Sequence, residues 1–320
     1  MKRILVTGGS GFIGTNLVER LRERFEVTSF DRKPPIRGDQ RSLWMEGDII
    51  DARAVRDAYE AIRPDIVFHL AARTDLGGRK LEDYRANTDG VENVIEAGAS
   101  LGSPIHTIYA SSRLVFAIDH KPAHDFDYKP STVYGESKIV GEGIVRERAD
   151  RAGTWTIVRP TSIWGPWFGA PYKDFFDSVS RGRYVTTPGR NPRKSFGYVE
   201  NSVYQLEKLA CAPVETVNGK VFWLADYPAL DLGVWARLVA KEMGVSAPKS
   251  VQWPILRAAA LVGDGAKRMG YASPPLTSFR LNNLVAEMVY DTSSLERVVG
   301  ELPYGLEDGV RRTVDWVKRA

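Results

Sequence analysis

A tyrosine and a lysine four positions apart form the pair of side chains in this sequence best suited to moving a proton. Tyr134 and Lys138 lie in TVYGESK (132–138), which has the pattern of a helix start. At this spacing the two side chains share one helix face. A phenol with a pKa near ~10 is a poor base at neutral pH, but a nearby cation favours the phenolate. The pair predicts an acid/base for a sugar or steroid hydroxyl, although such pairs also occur by chance on solvated helices.

A glycine-rich segment near the N-terminus has the features of a phosphate-binding loop. TGGSGFIG (7–14) follows a predicted strand and opens a predicted helix, with Gly8, Gly11 and Gly14 at three-residue spacing. Such glycines permit a tight turn, close backbone approach and helix–strand packing, and the helix start offers free N–H groups to a pyrophosphate. A glycine-rich turn without a ligand is the alternative, but its place between strand and helix favours a dinucleotide site.

An acidic residue follows this loop at the expected distance. Asp31 ends the second predicted strand, where a carboxylate accepts hydrogen bonds from both hydroxyls of an adenosine ribose and repels a 2′-phosphate. This favours NAD over NADP. Arg32 and Lys33 come next and could pair with a phosphate instead, so NADP is not excluded.

Strands and helices alternate through the first half of the chain. Near-continuous apolar strands between helices indicate a parallel sheet covered on both faces. We therefore predict an α/β fold with a Rossmann-type doubly wound parallel sheet. The predicted strands are 2–7, 25–31, 65–72, 104–112 and 154–160, and the predicted helices are 14–24, 51–62, 85–101 and 135–152.

The second half is richer in proline and tryptophan and is predicted to form a smaller lobe. One strand is predicted at 221–226, and helices at 232–243, 254–269, 292–299 and 305–319. We expect an NAD-binding Rossmann domain over 1–165 and a mainly substrate-binding C-terminal lobe over 166–320. Some segments of this second half, about 196–226, are expected to return to the first domain.

The composition is that of a soluble globular protein. The 320 residues are 43% apolar and 26% charged. The net charge of +4 is compatible with an anionic small substrate and does not point to nucleic acid. Cys211 is the only cysteine, which excludes an intramolecular disulfide and a Cys-based zinc site. Its apolar-periodic surroundings predict a buried helix position, and we predict no metal site.

Neither the N-terminus nor the longest late apolar stretch indicates a membrane segment. MKRILVTGG passes straight from charge into a strand and lacks the pattern of a signal peptide. ILRAAALVG (255–263) contains an arginine and is too short to span a bilayer. We therefore expect a cytoplasmic protein without a membrane partner.

Taken together and in order, these segments resemble the extended short-chain dehydrogenase/reductase family. That family includes NAD-dependent nucleotide-sugar epimerases and dehydratases as well as 3β-hydroxysteroid dehydrogenases, and the resemblance covers nearly the whole chain. The matching segments are TGGSGFIG, GDI (47–49), HLAA (69–72), YASSRLVF (109–116), YGESK and RPTSIWGP (159–166).

The resemblance implies a role for each matching residue. Tyr134 is the implied acid/base, Lys138 lowers its pKa and binds the nicotinamide ribose, and Ser112 holds the substrate hydroxyl. Ser112 is preferred to Ser111 because it stands four positions before Phe116, where the family usually has tyrosine. The residues implied to bind the cofactor are Gly8, Gly11, Phe12, Ile13, Gly14, Asp31, Arg32, Asp48, Ile49, Leu70, Ala71, Ala72, Tyr134, Lys138 and Pro160.

The residues after Ser112 narrow the implied reaction. Dehydratases of the family have Asp and Glu there, whereas this chain has Arg113 and Leu114, which cannot do that proton work. Double epimerase-reductases require a cysteine and a histidine, and Cys211 is far along the chain. Of the reactions in this family, hydride transfer to and from a single carbon remains. We predict epimerisation at C4 of a nucleotide-linked hexose through a 4-keto intermediate, or alternatively a ketoreductase or dehydrogenase.

The substrate is expected to be a nucleotide sugar, and the protein a homodimer. Arg280 is the candidate for the substrate diphosphate, since a guanidinium matches phosphate oxygens bidentately. Lys194 stands where the family usually has arginine, and Ser162 replaces a common asparagine. The full predicted substrate-binding set is Arg73, Asn87, Ser112, Ser162, Lys194 and Arg280.

Two further classes of function stay open. PPLTSF (274–279) and YGLEDGVRRTVDW (304–316) also resemble relatives of 3β-hydroxysteroid dehydrogenases, which oxidise a bulky apolar alcohol. A cofactor sensor without catalytic activity on the same fold is the other alternative, against which the intact Ser112, Tyr134 and Lys138 argue.

Overall fold

The computed structural model describes residues 1–118, 120, 122–271, 274 and 276–319, which fall into two units. The first unit comprises Met1–Ile163, Gly197–Ala225 and Asp291–Pro303. The second comprises Trp164–Phe196, Asp226–Tyr290 and Tyr304–Ala320.

The strands and helices of the described residues are numbered in chain order. The strands are β1 (Arg3–Thr7), β2 (Glu26–Asp31), β3 (Trp44–Glu46), β4 (Ile66–His69), β5 (Ile105–Ala110), β6 (Gly153–Pro160), β7 (Ser162–Trp164), β8 (Val185–Thr186), β9 (Arg193–Lys194), β10 (Phe196–Tyr198), β11 (Lys220–Leu224), β12 (Leu230–Asp231) and β13 (Lys249–Ser250). The helices are α1 (Phe12–Leu21), α2 (Ala52–Ile62), α3 (Arg85–Ser100), α4 (Val133–Arg148), α5 (Tyr172–Ser180), α6 (Val199–Cys211), α7 (Val214–Val217), α8 (Leu232–Met243), α9 (Trp253–Arg268), α10 (Ser278–Val285), α11 (Ser293–Val299) and α12 (Leu306–Arg319). Short 3₁₀ turns lie at Gly38–Leu43, Leu81–Tyr84, Arg113–Val115 and Ala149–Arg151.

The centre of the first unit is a parallel sheet in which the described residues form seven strands. Its strand order is β11-β6-β5-β4-β1-β2-β3, and every neighbouring pair is parallel. The order reverses between β1 and β4, so the connections leaving these two strands diverge. In doubly wound sheets the ligand lies at the carboxyl ends of the strands at such a reversal. The sheet confirms the predicted Rossmann-type α/β class.

Two groups of helices flank this sheet. Helices α2, α3 and α4 pack in a row, and α1 packs against α6. The first group forms one continuous apolar core with the sheet, to which Leu5, Val67, Tyr109 and Ile157 contribute from four strands. All four residues of β4 are buried, which explains the near-continuous apolar pattern of that strand in the sequence.

Side-chain caps fix where two helices of this group begin. The Asp51 carboxylate accepts the N–H groups of Arg53 and Ala54 at 2.9 and 3.1 Å and caps α2. The Thr132 hydroxyl accepts the Gly135 N–H at 3.0 Å and caps α4. Such caps satisfy N–H groups that have no partner within the helix. The second cap places Tyr134 in the first turn of α4.

The second unit is built of helices around an aromatic core. The ring of Trp235, on α8, stacks on Phe175 with centroids 4.1 Å apart and an angle of 7° between the planes. Trp164 and Phe176 pack against the same indole at 5.3 and 5.7 Å. Within this unit α8 contacts α5 and α12, and α9 pairs with α10.

The structure corrects the prediction for Cys211 and adds elements that the sequence patterns missed. Cys211 is the last residue of α6, as expected for a helix position, but it is exposed because the buried side of that helix is formed by residues such as Leu206 and Ala210. Helices α5 and α10 and the three-residue strand β3 were not predicted. Over the part of the chain that the structure describes, no group of side chains could hold a metal ion, and no helix is long and apolar enough to cross a bilayer.

Candidate active site

Helix α4 presents three ionisable side chains on its buried side at successive turns. Tyr134, Lys138 and Glu142 are exposed by only 6%, 7% and 2%. Two glycines let this helix approach the rest of the first unit closely. A Cβ added to Gly135 would lie 2.2 Å from the Leu114 carbonyl oxygen, so only hydrogen fits there. Gly141 makes a similar close approach elsewhere along the helix.

Burial raises the pKa of Tyr134 above its ordinary value, and the side chain of Ser112, which follows β5, opposes this effect. The Ser112 hydroxyl accepts the Leu114 N–H at 3.1 Å. The preceding hydroxyl, that of Ser111, instead donates to the Glu142 carboxylate at 2.5 Å. Of the two serines, Ser112 is therefore the one whose side chain affects the Tyr134 phenol, and its role with a substrate stays a prediction.

The ammonium of Lys138 is directed at the end of the same strand. Its Nζ donates to the Ala110 carbonyl at 2.8 Å. Burial lowers the pKa of Lys138 to about 8, and the nearby Glu142 carboxylate opposes this effect. We predicted that Lys138 would lower the pKa of Tyr134. Burial raises the pKa of Tyr134 overall, and the effect of Lys138 on that pKa stays a prediction.

The loop between β1 and α1 has the tight geometry that a pyrophosphate site requires. Gly8 has φ +74°, and a Cβ there would lie 2.6 Å from the Ala71 nitrogen. A Cβ on Gly14 would lie 2.3 Å from the Gly8 carbonyl oxygen. Helix α1 begins directly after this loop, with Phe12 and Ile13 in its first turn, and the start of a helix favours an anion. These residues fit the phosphates of a dinucleotide.

Asp31 lies against this loop at the end of β2. One carboxylate oxygen accepts the Ser10 N–H at 3.2 Å and the other accepts the Lys33 N–H at 3.0 Å. Each carboxylate oxygen retains a further lone pair for a ribose hydroxyl. The next residue, Arg32, is exposed. The position and acceptor capacity of Asp31 therefore fit an adenosine ribose.

The remaining predicted cofactor residues follow the carboxyl ends of neighbouring strands. Ile49 is buried and comes shortly after β3, and the adjacent Asp48 carboxylate accepts the Ile50 N–H at 3.1 Å. Leu70, Ala71 and Ala72 follow β4, and Pro160 ends β6. Because all these strands are parallel, their carboxyl ends meet at one edge of the sheet, the edge that also carries the glycine loop.

Two of the predicted substrate residues are held by their own surroundings. Asn87 is 1% exposed, and its side-chain oxygen accepts the Arg73 N–H at 2.8 Å. Its Nδ2 donates to the Arg73 carbonyl at 3.0 Å and to the Ser137 hydroxyl at 2.9 Å. Asn87 is thus held by Arg73 and Ser137, and its contact with a substrate stays a prediction. The Arg73 guanidinium pairs with Asp75 at 2.8 Å and donates to the Asp83 carbonyl at 2.9 Å.

The other three predicted substrate residues are divided between the units. Ser162 is buried in the first unit. In the second unit, Nζ of the buried Lys194 donates to the Asn283 carbonyl at 2.8 Å. The guanidinium of Arg280 donates to the Pro274 carbonyl at 2.7 Å. Contact of these residues with a substrate stays a prediction.

Sequence patterns missed a buried ionic cluster beside Lys138. Arg159 donates from Nε and Nη2 to the two carboxylate oxygens of Glu142, at 2.8 and 2.6 Å. The Tyr128 hydroxyl donates to the same carboxylate at 2.5 Å. Arg159 is fully buried and lies over the rings of Phe116 and Trp223 at 5.2 and 5.5 Å. The one feature of the sequence that pointed to this cluster was the position of Glu142, which lies a further turn along the helix face that carries Tyr134 and Lys138.

Comparison with known proteins identifies the class. The model of the NAD dependent epimerase/dehydratase family matches residues 4–224. The chain belongs to this family. It is an NAD-dependent enzyme of the epimerase and oxidoreductase type, consistent with its glycine loop and sheet.

Three similar proteins illustrate the range of this family. The chain is 30% identical to a 3 beta-hydroxysteroid dehydrogenase/Delta 5-->4-isomerase of Mycobacterium tuberculosis, over 94% of this chain and 86% of the relative. It is 24% identical to an N-acetyl-alpha-D-glucosaminyl-diphospho-ditrans,octacis-undecaprenol 4-epimerase of Escherichia coli O157:H7, over 98% and 94% of the two chains. It shares its fold with a UDP-glucose 4-epimerase solved with UDP-glucose from Thermotoga maritima. That structure has a TM-score of 0.75 and 21% identity, and the match covers 99% of this chain and 98% of the other.

Proposed function

We propose that this enzyme oxidises a secondary alcohol carbon of its substrate and reduces it again, and that the reaction is epimerisation at C4 of a nucleotide-linked hexose. The observation that carries the proposal is the burial of Tyr134 and Lys138 one turn apart on α4, with the buried Ser112 side chain favouring the ionised form of the Tyr134 phenol. A buried phenol beside a serine hydroxyl suits proton transfer to and from an alcohol oxygen.

Ser112 and Tyr134 have separate roles in the proposed reaction. Ser112 holds the substrate oxygen, and Tyr134 accepts the hydroxyl proton as the alcohol becomes a ketone. The NAD that the glycine loop and Asp31 would hold would supply the hydride acceptor and donor for the same carbon, and the ketone would turn in the pocket to be reduced on its other face. Tyr134 then gives its proton back to the oxygen. Burial favours the neutral phenol, which is the form needed for that last step, while oxidation requires the phenolate.

The surroundings of Ser112 support simple hydride chemistry over dehydration. Arg113 and Leu114 occupy the turn after Ser112, so no carboxylate stands where a proton would be abstracted for loss of water. The buried carboxylate in this region, Glu142, is held by Arg159, Ser111 and Tyr128. It is therefore a poor candidate for a second acid/base.

A dehydrogenase acting on an apolar alcohol such as a 3β-hydroxysteroid is the second candidate. The 30% identity to a 3 beta-hydroxysteroid dehydrogenase, over 94% of this chain, specifically favours it. The same Ser112 and Tyr134 would serve this reaction. The two reactions differ in their products, because a dehydrogenase releases the ketone and forms one reduced cofactor per turnover.

One assay distinguishes these candidates. The purified protein is incubated with UDP-glucose, UDP-galactose and their N-acetyl, GDP and dTDP counterparts, and separately with a 3β-hydroxysteroid and NAD. Epimerisation predicts a C4 epimer by chromatography with flat absorbance at 340 nm and no added NAD. Dehydrogenation predicts a stoichiometric rise at 340 nm. Cofactor binding without turnover of any substrate would contradict both and favour a sensor.

A further inference from the structure

Helix α9 in the second unit carries an apolar face that the described residues leave uncovered. Ile255, Ala258, Ala259 and Val262 are exposed and follow the spacing of one helix face, and Leu261 is exposed beside them. We call these five residues the α9 surface. Such a face is unusual, because a surface helix normally turns its apolar stripe towards the core.

Exposure of large apolar side chains is concentrated in this region. Apart from Met1, every described large apolar residue that is at least 60% exposed lies between 255 and 279. Val262 is 73% exposed, and Met269 and Phe279, in the segment after α9, reach 85% and 70%. Single exposed apolar residues are common on proteins, but a contiguous group marks an interaction surface.

The opposite side of α9 is anchored, so the α9 surface cannot turn inward. Leu256 and Ala260 form a small core with Leu281 of α10. A Cβ on Gly263 would lie 1.8 Å from the Leu276 carbonyl oxygen, which fixes the close approach of the helix to the following chain. The Asp264 carboxylate accepts the Ser278 N–H at 3.1 Å and ties the two helices together.

Positive charge lies beside this surface. Arg257 and Arg268 stand four positions before and seven after Leu261, which places them along its edge, and both are exposed. Lys267 adds a third exposed cation. Asp264, held by Ser278, is the one acidic residue in the sequence from 253 to 280.

We propose that the α9 surface docks this protein onto anionic lipid bilayers, with α9 lying in the plane of the headgroups. Exposed apolar residues next to Lys and Arg are the pattern of helices that bind a membrane interface. The helix has 16 residues and docks without spanning. A symmetric contact with a second copy fits less well, because it would bring the cations of both copies together. We expected no membrane partner from the sequence, but that expectation concerned only segments inserted into the bilayer. Docking of the α9 surface does not depend on which substrate the enzyme uses.

Vesicle sedimentation with the full chain tests the proposal. We expect binding to vesicles of phosphatidylcholine with phosphatidylglycerol, weaker binding to phosphatidylcholine alone, and weakening by salt. The double variant Leu261→Gln with Val262→Gln should lose at least about tenfold in affinity. The matched control replaces two apolar residues exposed elsewhere, Ile36→Gln with Val214→Gln, and should bind as the wild type. Arg257→Gln with Arg268→Gln should lose the preference for phosphatidylglycerol.

Three results would overturn the proposal. The first is no binding of the wild type to either vesicle, and the second is equal binding by the Leu261/Val262 and control variants. The third is a dimer in light scattering that dissociates in the Leu261/Val262 variant without any vesicle binding, which would assign the surface to a second copy. Because the substituted side chains are exposed, thermal unfolding of all three variants should match the wild type, and this measurement verifies that they are folded.

Discussion

Glu142 and Arg159 form a two-point ion pair inside the first unit, with N–O distances of 2.8 and 2.6 Å and both side chains buried. Glu142 stands one turn beyond Lys138 on α4, and Arg159 immediately precedes Pro160 at the end of β6. The pair therefore joins the helix that carries the proposed acid/base to a strand end at the proposed cofactor edge.

We expect Glu142→Gln to destabilise the protein strongly. The amide removes the close charge partner of the buried Arg159 guanidinium and leaves only the exposed Asp125, 3.9 Å away, which costs about 3–5 kcal/mol. The matched control is Glu92→Gln, since Glu92 pairs with Arg148 at 2.9 Å on the surface. That change should cost at most about 1 kcal/mol. Urea denaturation measures both, and equal losses would show that the buried pair adds nothing beyond a surface pair.

Tyr134→Phe should abolish turnover while leaving the fold and cofactor binding in place. Removing the hydroxyl takes away the proposed general acid/base, which is worth about 10²–10⁴-fold in rate. The control Tyr271→Phe removes an exposed hydroxyl and should leave the rate unchanged. Steady-state kinetics provides the test, with the substrate that the assay of sugar nucleotides and steroid identifies. Retention of more than a few per cent of activity, with substrate affinity unchanged, would remove Tyr134 from this role.

Asp31 should give the enzyme a preference for NAD(H) over NADP(H). We expect a difference in affinity of at least about tenfold, or about 1.4 kcal/mol, because the carboxylate repels a 2′-phosphate. Asp31→Asn should reduce this difference in affinity between the two cofactors, whereas Asp48→Asn should leave the difference unchanged. Calorimetric titration with both cofactors measures the preference. Tighter binding of NADP(H) by the wild type would shift the specificity to Arg32.

Lys138→Met should stabilise the folded protein at pH 7 even as it removes activity. Burial lowers the pKa of Lys138 to about 8 in the folded state, below the value near 10.4 of an unfolded chain. Between these two pKa values the folded state binds fewer protons than the unfolded state. The buried charge therefore lowers the stability of the folded protein by its full amount below pH 8, and by less as the pH rises towards 10. The expected gain is of order 1–3 kcal/mol at pH 7, after loss of the bond to Ala110.

This gain should disappear near pH 10, which separates it from a general packing effect. Urea denaturation at pH 7, 8.5 and 10 measures the difference between variant and wild type. Lys241→Met, at an exposed position of α8, should show no such trend. A gain from Lys138→Met that is independent of pH would refute the lowered pKa.

Gly14→Ala and Gly143→Ala should act in opposite directions. The new Cβ at position 14 meets the Gly8 carbonyl oxygen at 2.3 Å, so the phosphate loop must shift, and both stability and NAD affinity should fall. Nothing lies within 4 Å of a Cβ at Gly143 in α4, where alanine should add up to about 1 kcal/mol. Thermal unfolding and NAD titration report the two effects. Undisturbed NAD binding by Gly14→Ala would mean that the loop does not hold the phosphates.

Features that depend on near neighbours along the chain could be predicted from the amino-acid pattern. Alternating apolar strands and amphipathic helices predict the doubly wound sheet, and helix α8 lies at the predicted residues 232–243. The spacing of Tyr134 and Lys138 on one helix face follows from helix geometry alone. The need for glycine at position 14 is also local, because its close contact is with Gly8 in the same loop, whereas Gly8 itself meets the distant Ala71.

Features that depend on burial or on partners distant in sequence became visible only in the folded chain. The resemblance favours Ser112 over Ser111, but only the approach of α4 shows that the Ser111 hydroxyl is bound to Glu142, 31 positions away. The raised pKa of Tyr134 follows from desolvation, which no spacing reveals. The α9 surface was equally hidden, since an apolar stretch does not show whether the chain covers it. In each case the outcome depends on which groups the fold excludes from water, and that is settled only when the elements pack.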